Sequence, residues 1–332
     1  MFRKILSPAA KIALILICFG VIFRSVNIAD VAESVRDISL ALLFAAFLCL
    51  LADTFILAIR CVYLLQAKGI RISYPSMLRI VFVSNFFSLA IPSSIGADAL
   101  RIMLLKRESY CVTHSTSMVV MDKVLSVLAM LVFSLAGMLV VWSAIPDQRV
   151  LLFLIVVIVV TLLGILASFS KIPKSFLRWL SERLQPLKNG PRGRRIKVFG
   201  VLEKLLVLLS GIHDSFVDFL KQPRTLVTVF GWNALNQVFR ILMVHFLFLA
   251  LGYSVSLHMQ FAFVPVIMLL TLLPITYFGL GIREGAFLFF FTQIGIPASV
   301  CLSVSLLTYL LIVAGMIPGA LLLWVPRSKK DK

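Results

Sequence analysis

Charge is what this chain has least of. Only 14% of its 332 residues are charged, and just 14 of them are Asp or Glu, where a soluble domain carries about 25% charged residues. Too little polar surface is available to face water on all sides, which excludes a soluble globular protein. Cysteine is scarce and scattered: Cys18, Cys49, Cys61, Cys111 and Cys301 form no CxxC pair and no Cys/His cluster. A disulfide framework and a zinc site are therefore not expected. Soluble catalytic signatures are missing as well, with no Walker loop, GxSxG, HExxH or nucleotide-binding glycine fingerprint. Gly279-Leu280-Gly281 lacks the strand–helix context that would give it meaning for nucleotides. His114, His213, His245 and His258 lie far apart. No metal, no cofactor and no enzymatic activity are expected.

Apolar sequence is what remains. The chain is 61% hydrophobic with a mean hydropathy of +1.06, the composition of an all-α polytopic membrane protein. Its net charge of +18 is gathered in a few loops, a pattern that sets membrane orientation and meets anionic lipid surfaces. Nucleic acid is not an expected partner. A spanning helix needs about 20 apolar residues, and six segments supply them, at about 9–26, 38–66, 115–142, 150–168, 225–251 and 298–325. Residues 12–23, bracketed by Lys11 and Arg24, read as a retained first helix rather than a cleaved signal. Between Lys171 and Lys204 lie ten Lys/Arg against Glu182 and Glu203. The amphipathic pieces at 174–184 and 196–220 read as interfacial helices. The chain thus divides into 1–170, a basic linker 171–222, and 223–332.

Two further apolar segments are too short and too broken to be ordinary spans. Leu89-Ala90-Ile91-Pro92-Ser93-Ser94-Ile95-Gly96-Ala97-Asp98-Ala99-Leu100-Arg101 has an echo in Leu273-Pro274-Ile275-Thr276-Tyr277-Phe278-Gly279-Leu280-Gly281-Ile282-Arg283-Glu284. Pro92 and Pro274 remove a backbone donor, while Gly96, Gly279 and Gly281 permit conformations other residues avoid. Each site is expected to be a helix break, with short arms at 77–91 and 99–105, and at 259–273 and 285–294. Counting Lys and Arg on either side places both termini and the linker in the cytoplasm if both breaks are re-entrant hairpins, 77–105 and 259–295, or if both are odd crossings that compensate elsewhere; the hairpins are the reading adopted. The first then opens to the cytoplasm and the second to the outside. The expected architecture is about six spanning helices plus two re-entrant hairpins in inverted-topology repeats, eight hydrophobic segments in all.

An ionisable group inside a membrane helix costs about 2.5–3.5 kcal/mol on insertion scales, so each asks for a partner or a purpose. Asp53 and Arg60 are seven apart and share a helix face; Arg60 either snorkels to the interface or turns inward. Asn233, Asn236, Gln237 and Arg240 make one polar stripe at i, i+3, i+4, i+7, either glue between helices or the wall of a cavity. Arg101 and Arg283 begin the second arms beside Asp98 and Glu284. A helix N-terminus with a guanidinium is a receptor for phosphate or carboxylate; the alternative is an internal pair that locks the loop. Asp122-Lys123 reads as an ion pair with the first hairpin or as a proton-linked switch.

At these residues the sequence is similar to the flippase-like membrane domain family, the lysylphosphatidylglycerol synthase transmembrane-region-like proteins. The matching pieces are Arg60 with Leu64-Leu65, Asn85, Pro92 through Gly96-Ala97-Asp98 to Arg101, Asp122-Lys123, and Pro274 through Gly279-Leu280-Gly281 to Arg283-Glu284. Ala97 stands where the family usually has Gly, and Lys123 where it usually has Arg. The resemblance covers about residues 50–320. It implies translocation of lipids across a bacterial inner membrane; with the chain stopping at Lys332, the soluble aminoacyl-lipid synthase fused to some relatives is not expected. The expectation is a flippase for an anionic or phosphate-linked lipid. Arg101, Arg283, Arg240, Arg60, Asn85 and Asn236 would hold the headgroup, and Asp98, Asp122, Glu284 and Asp53 would balance charge or couple protons. Membrane lipids are the expected partners, with a homodimer or a lipid-modifying enzyme as possible protein partners. Two alternatives are an accessory protein that recruits such an enzyme through 171–204, and, last, an intramembrane glycolipid or polyprenyl transferase.

Overall fold

A computed structural model describes residues 35–89, 96–107, 110–141, 218–272 and 279–324, with Glu33 and a few positions between 152 and 161. The expected spans at 9–26 and 150–168 (save those few positions), most of the linker, Pro92, Pro274 and the basic tail lie outside them. The described residues hold eight α-helices and no strand. They are α1 (Leu40–Gln66), α2 (Tyr74–Ser88), α3 (Gly96–Arg107), α4 (Val112–Val141), α5 (Pro223–Ala250), α6 (Leu257–Thr271), α7 (Ile282–Phe291, prolonged by a 3-10 turn, Thr292–Ile294) and α8 (Ala298–Trp324). Among them α1, α4, α5 and α8 are long and apolar enough to cross a bilayer, at 1.5 Å per residue against a hydrocarbon core of about 30 Å. The chain is a multi-pass helical membrane protein.

Both second arms are longer than hydropathy suggests. α3 runs for 12 residues from Gly96, and α7 starts at Ile282 rather than at 285. The reason is electrostatic: Asp98 and Glu284 sit in the first turns, where a carboxylate stabilises the partial positive charge of free N–H groups. Polar residues that look like loop are therefore the start of the helix.

At each break the chain doubles back. Phe263 of α6 stacks on Phe290 of α7 with centroids 5.1 Å apart, while Gly279 lies against Thr271 at the other end. α6 and α7 are thus an antiparallel pair joined at the break. Gly279 and Gly281 turn it with φ of 73° and 84°, values costly for any residue with a Cβ. In the first half, Tyr110 after α3 donates its hydroxyl to the carbonyl of Arg71 before α2, at 3.4 Å, closing the open end of the equivalent pair.

The packing has an internal two-fold pattern. Exchanging α1–α4 with α5–α8 maps each substantial helix–helix packing onto another: α1·α2 onto α5·α6, α2·α3 onto α6·α7, α4·α6 onto α8·α2, α1·α8 onto α5·α4. The central contact, α1 against α5, maps onto itself. These two helices are antiparallel. Ser39 N–H reaches the carbonyl of Ala250 at 3.0 Å at one end, and Gln222 Nε2 reaches the carbonyl of Ala67 at 3.0 Å at the other.

Each hairpin is wedged into the opposite half through a glycine. A Cβ on Gly137 of α4 would meet the backbone of α6 at Phe261 C, 2.6 Å, and Ala262 Cα, 2.7 Å. On Gly319 of α8 it would meet α2 at Phe82 C, 2.8 Å, and Phe86 Cβ, 2.7 Å. Backbone cannot retreat as a side-chain tip can, so both positions require the absence of a side chain.

Candidate functional site

Among the described residues two large hydrophobic cores form, one towards each end of the bundle, with a small third cluster around Leu302. On α1, Ala46 and Cys49 belong to one core and Ala58, Cys61, Leu64 and Leu65 to the other; Asp53 and Thr54 fall between. On α5, Val229 belongs to one core and Ile241, Met243 and Val244 to the other, with Asn233, Asn236, Gln237 and Arg240 between. Asp53 is the fourteenth of the 27 residues of α1, so this polar layer lies at mid-depth.

A cavity of about 290 Å³ occupies the layer. Each of the eight helices contributes to its wall: Cys49, Leu50, Asp53 and Thr54 from α1, Asn85 and Ser88 from α2, Ala97 from α3, Met130 from α4, Phe239, Arg240 and Met243 from α5, Met268 and Thr271 from α6, Arg283 from α7, and Thr308, Ile312, Gly315 and Met316 from α8. Leu272 follows α6. The last turns of α2 and α6 and the first turns of α3 and α7 all reach it, so both breaks converge on one space. Asp53 and Arg240 face each other across the central α1–α5 contact, Nε to Oδ1, at 2.6 Å. Their side chains keep 18% and 25% of their surface accessible, so the pair is open to the cavity.

Arg283 reaches the same space from a tightly built support. Its Nη2 donates to Glu284 Oε1 at 3.0 Å and its Nε to Ser305 Oγ at 3.0 Å. Ser305 in turn donates to Glu284 Oε1 at 3.0 Å, and the other Glu284 oxygen accepts the Gly281 N–H. The guanidinium also lies 5.5 Å from the centre of the Tyr309 ring, within cation–π range. Glu284 is fully buried. It caps α7 and fixes the arginine beside it.

Arg60 and Arg101 stand elsewhere. Arg60, 2% exposed, has Nε 3.3 Å from Asp122 Oδ1, but neither atom makes an aligned hydrogen bond, so that pairing is Coulombic. Its burial against α4 settles its direction: inward, not snorkelling. Asp98 bridges Arg101 at 3.3 Å and Lys123 at 3.2 Å, so Lys123 meets the second arm of the first break while Asp122 faces Arg60 of α1 instead. None of these five groups lines the cavity. Asn85 does, whereas Asn236 is buried in the layer off the cavity wall. Both amide atoms of Asn236, Asn233 Oδ1 and Gln237 Nε2 have no hydrogen-bond partner among the described residues. Groups in that state are usually met by water or ligand.

The profile of the lysylphosphatidylglycerol synthase TM region matches residues 9–319. The chain belongs to that family. An alignment over 241 residues, 25% identical, joins it to a UPF0104 membrane protein of Methanothermobacter thermautotrophicus, covering 70% of this chain and 68% of that one. No solved structure matches it. In this member of the lysylphosphatidylglycerol synthase TM region family, sequence reasoning missed Thr54, Ser88, Thr271 and Thr308 and the ring of Met130, Met243, Met268 and Met316. A hydroxyl or thioether in an apolar helix gives no periodic signal, and only the packing of the helices brings these together.

Proposed function

We propose that the protein moves a phosphate-linked lipid between leaflets of a cytoplasmic membrane, with the headgroup carried in the mid-depth cavity. One observation carries the reading: the helix ends that flank the two breaks, from opposite halves of the chain, converge on a single cavity that holds Arg240, Arg283 and Asp53. Guanidinium groups are suited to phosphate because their forked donors match its oxygens. Broken helices in paired repeats are the usual site of substrate binding in membrane transporters. The antiparallel α1–α5 contact fits inverted repeats, in which the two hairpins approach from opposite faces as re-entrant elements and open the site alternately. Arg240, Arg283 and Asn85 bind the headgroup. Arg101, Arg60 and Asn236 stand behind the wall and come into contact with the headgroup only when the site opens, with Asp98 and Asp122 holding the guanidinium groups in place until then. Transport rather than catalysis is the activity, and both termini face the cytoplasm. The experiment is reconstitution into vesicles with lipids labelled on the acyl chain. Arg240→Ala with Arg283→Ala is expected to slow transbilayer movement at least tenfold; an unchanged rate removes the mechanism.

A further inference from the structure

Among the described residues, the charged side chains that line the cavity and the carboxylates paired with them sum to zero. Arg240 is matched by Asp53 at 2.6 Å, and Arg283 by Glu284, which stands behind the wall, at 3.0 Å; among the described residues no charged side chain besides Asp53, Arg240 and Arg283 lines it. A headgroup with one net negative charge would leave that charge uncompensated at mid-depth, where desolvation makes an unpaired ion very costly. A headgroup carrying both a phosphate and an ammonium adds nothing to the sum.

The two ion pairs differ in a way that shows where each end of such a headgroup goes. Arg283–Glu284 is sealed: Glu284 is fully buried and its oxygens accept three donors. Asp53–Arg240 is open to the cavity and joined by one hydrogen bond. An entering zwitterion can therefore divide the open pair, its ammonium taking Asp53 and its phosphate taking Arg240, with Arg283 as a fixed second donor. Both charges of the protein are then still paired. At about 290 Å³ the cavity is at the small end of ligand pockets, roughly 300–1,000 Å³, enough for a headgroup while the acyl chains stay outside. We infer that the substrate is a zwitterionic aminophospholipid and that Asp53 is the ammonium-specificity residue of the site. This rests on the cavity being the transport site.

The test uses the full chain in vesicles of phosphatidylethanolamine and phosphatidylglycerol at equal parts. Acyl-chain-labelled phosphatidylethanolamine or phosphatidylglycerol is the tracer, and movement is followed by chemical quenching of the outer leaflet. The wild-type protein is expected to move the phosphatidylethanolamine tracer at least tenfold faster. In Asp53→Asn, which keeps the shape but loses the charge, the ratio of the two rates is expected to fall about tenfold, the worth of one charge-assisted hydrogen bond. If wild type moves phosphatidylglycerol as fast or faster, this inference is overturned while the transport reading stands. The same holds if Asp53→Asn leaves the ratio unchanged. If neither tracer moves, the transport reading falls and takes this inference with it. The wild-type comparison does not depend on whether the variant folds.

Discussion

Glu284 offers the sharpest test of the structure. Its two carboxylate oxygens accept from Arg283 Nη2, Ser305 Oγ and the Gly281 N–H, all in a site without solvent access. Truncation to Ala strands these three donors, one of them a full charge. An orphaned buried donor costs about 1–3 kcal/mol, and breaking a buried ion pair about 3–5 kcal/mol. These figures overlap in what they count, so the expected loss is about 4–5 kcal/mol. Gln is the informative second variant. It is isosteric, but its amide NH₂ meets a fixed donor in either orientation, the Gly281 N–H on one side or Arg283 Nη2 on the other. It should recover less than half of the loss. Thermal unfolding in detergent, read by the monodisperse fraction that survives heating, should shift down by roughly 5–10 °C for Glu284→Ala. A shift below 1 °C for Ala, or full rescue by Gln, would refute the network.

Other perturbations follow from the same structure. Arg60→Met alone should destabilise by about 3–5 kcal/mol by leaving Asp122 buried without its counter-charge, whereas Arg60→Met with Asp122→Leu should recover most of it; a double variant no better than the single one refutes the pairing. Gly319→Leu and Gly137→Leu should each prevent the folded protein from accumulating, while Gly231→Leu, where an added Cβ meets nothing within 4 Å, should accumulate normally. Where the chain enters α5, Lys221 hydrogen-bonds Asp218 at 3.0 Å and holds its carboxyl below the usual 3.8. Because the folded value is the lower one, this contact is at full strength above the ordinary aspartate value and is lost as pH falls below it. A carboxyl-detected titration should place the Asp218 midpoint under 3.8, and Lys221→Ala should raise it; an unmoved midpoint refutes the assignment.

How far the sequence reveals the fold depends on what kind of signal each part leaves. Long apolar runs placed α1, α4, α5 and α8 within two or three residues of their observed ends, because burial in lipid selects composition directly. Arg and a carboxylate next to Pro and Gly marked both breaks, since few other reasons exist to put them inside apolar sequence. What sequence could not show is register between distant helices. Arg101 and Arg283 look equivalent along the chain, yet only Arg283 lines the cavity; Arg101 is turned to Asp98, which also holds Lys123. Asp53 and Arg240 are 187 residues apart, and nothing local joins them. Gly137 and Gly319 pass as ordinary residues of apolar helices until the backbone that crosses each is known.

Those two glycines have a consequence for how the molecule divides. Because α6 is seated on α4 and α2 on α8, each short hairpin is held by a span encoded in the other half of the gene. A rigid body made of one sequence half is therefore not available for motion: whatever rocks must pair a hairpin with a foreign span. For the same reason the described parts of the two halves, 35–141 and 223–324, are interlocked rather than adjoining, and neither alone has the span on which its own short hairpin rests.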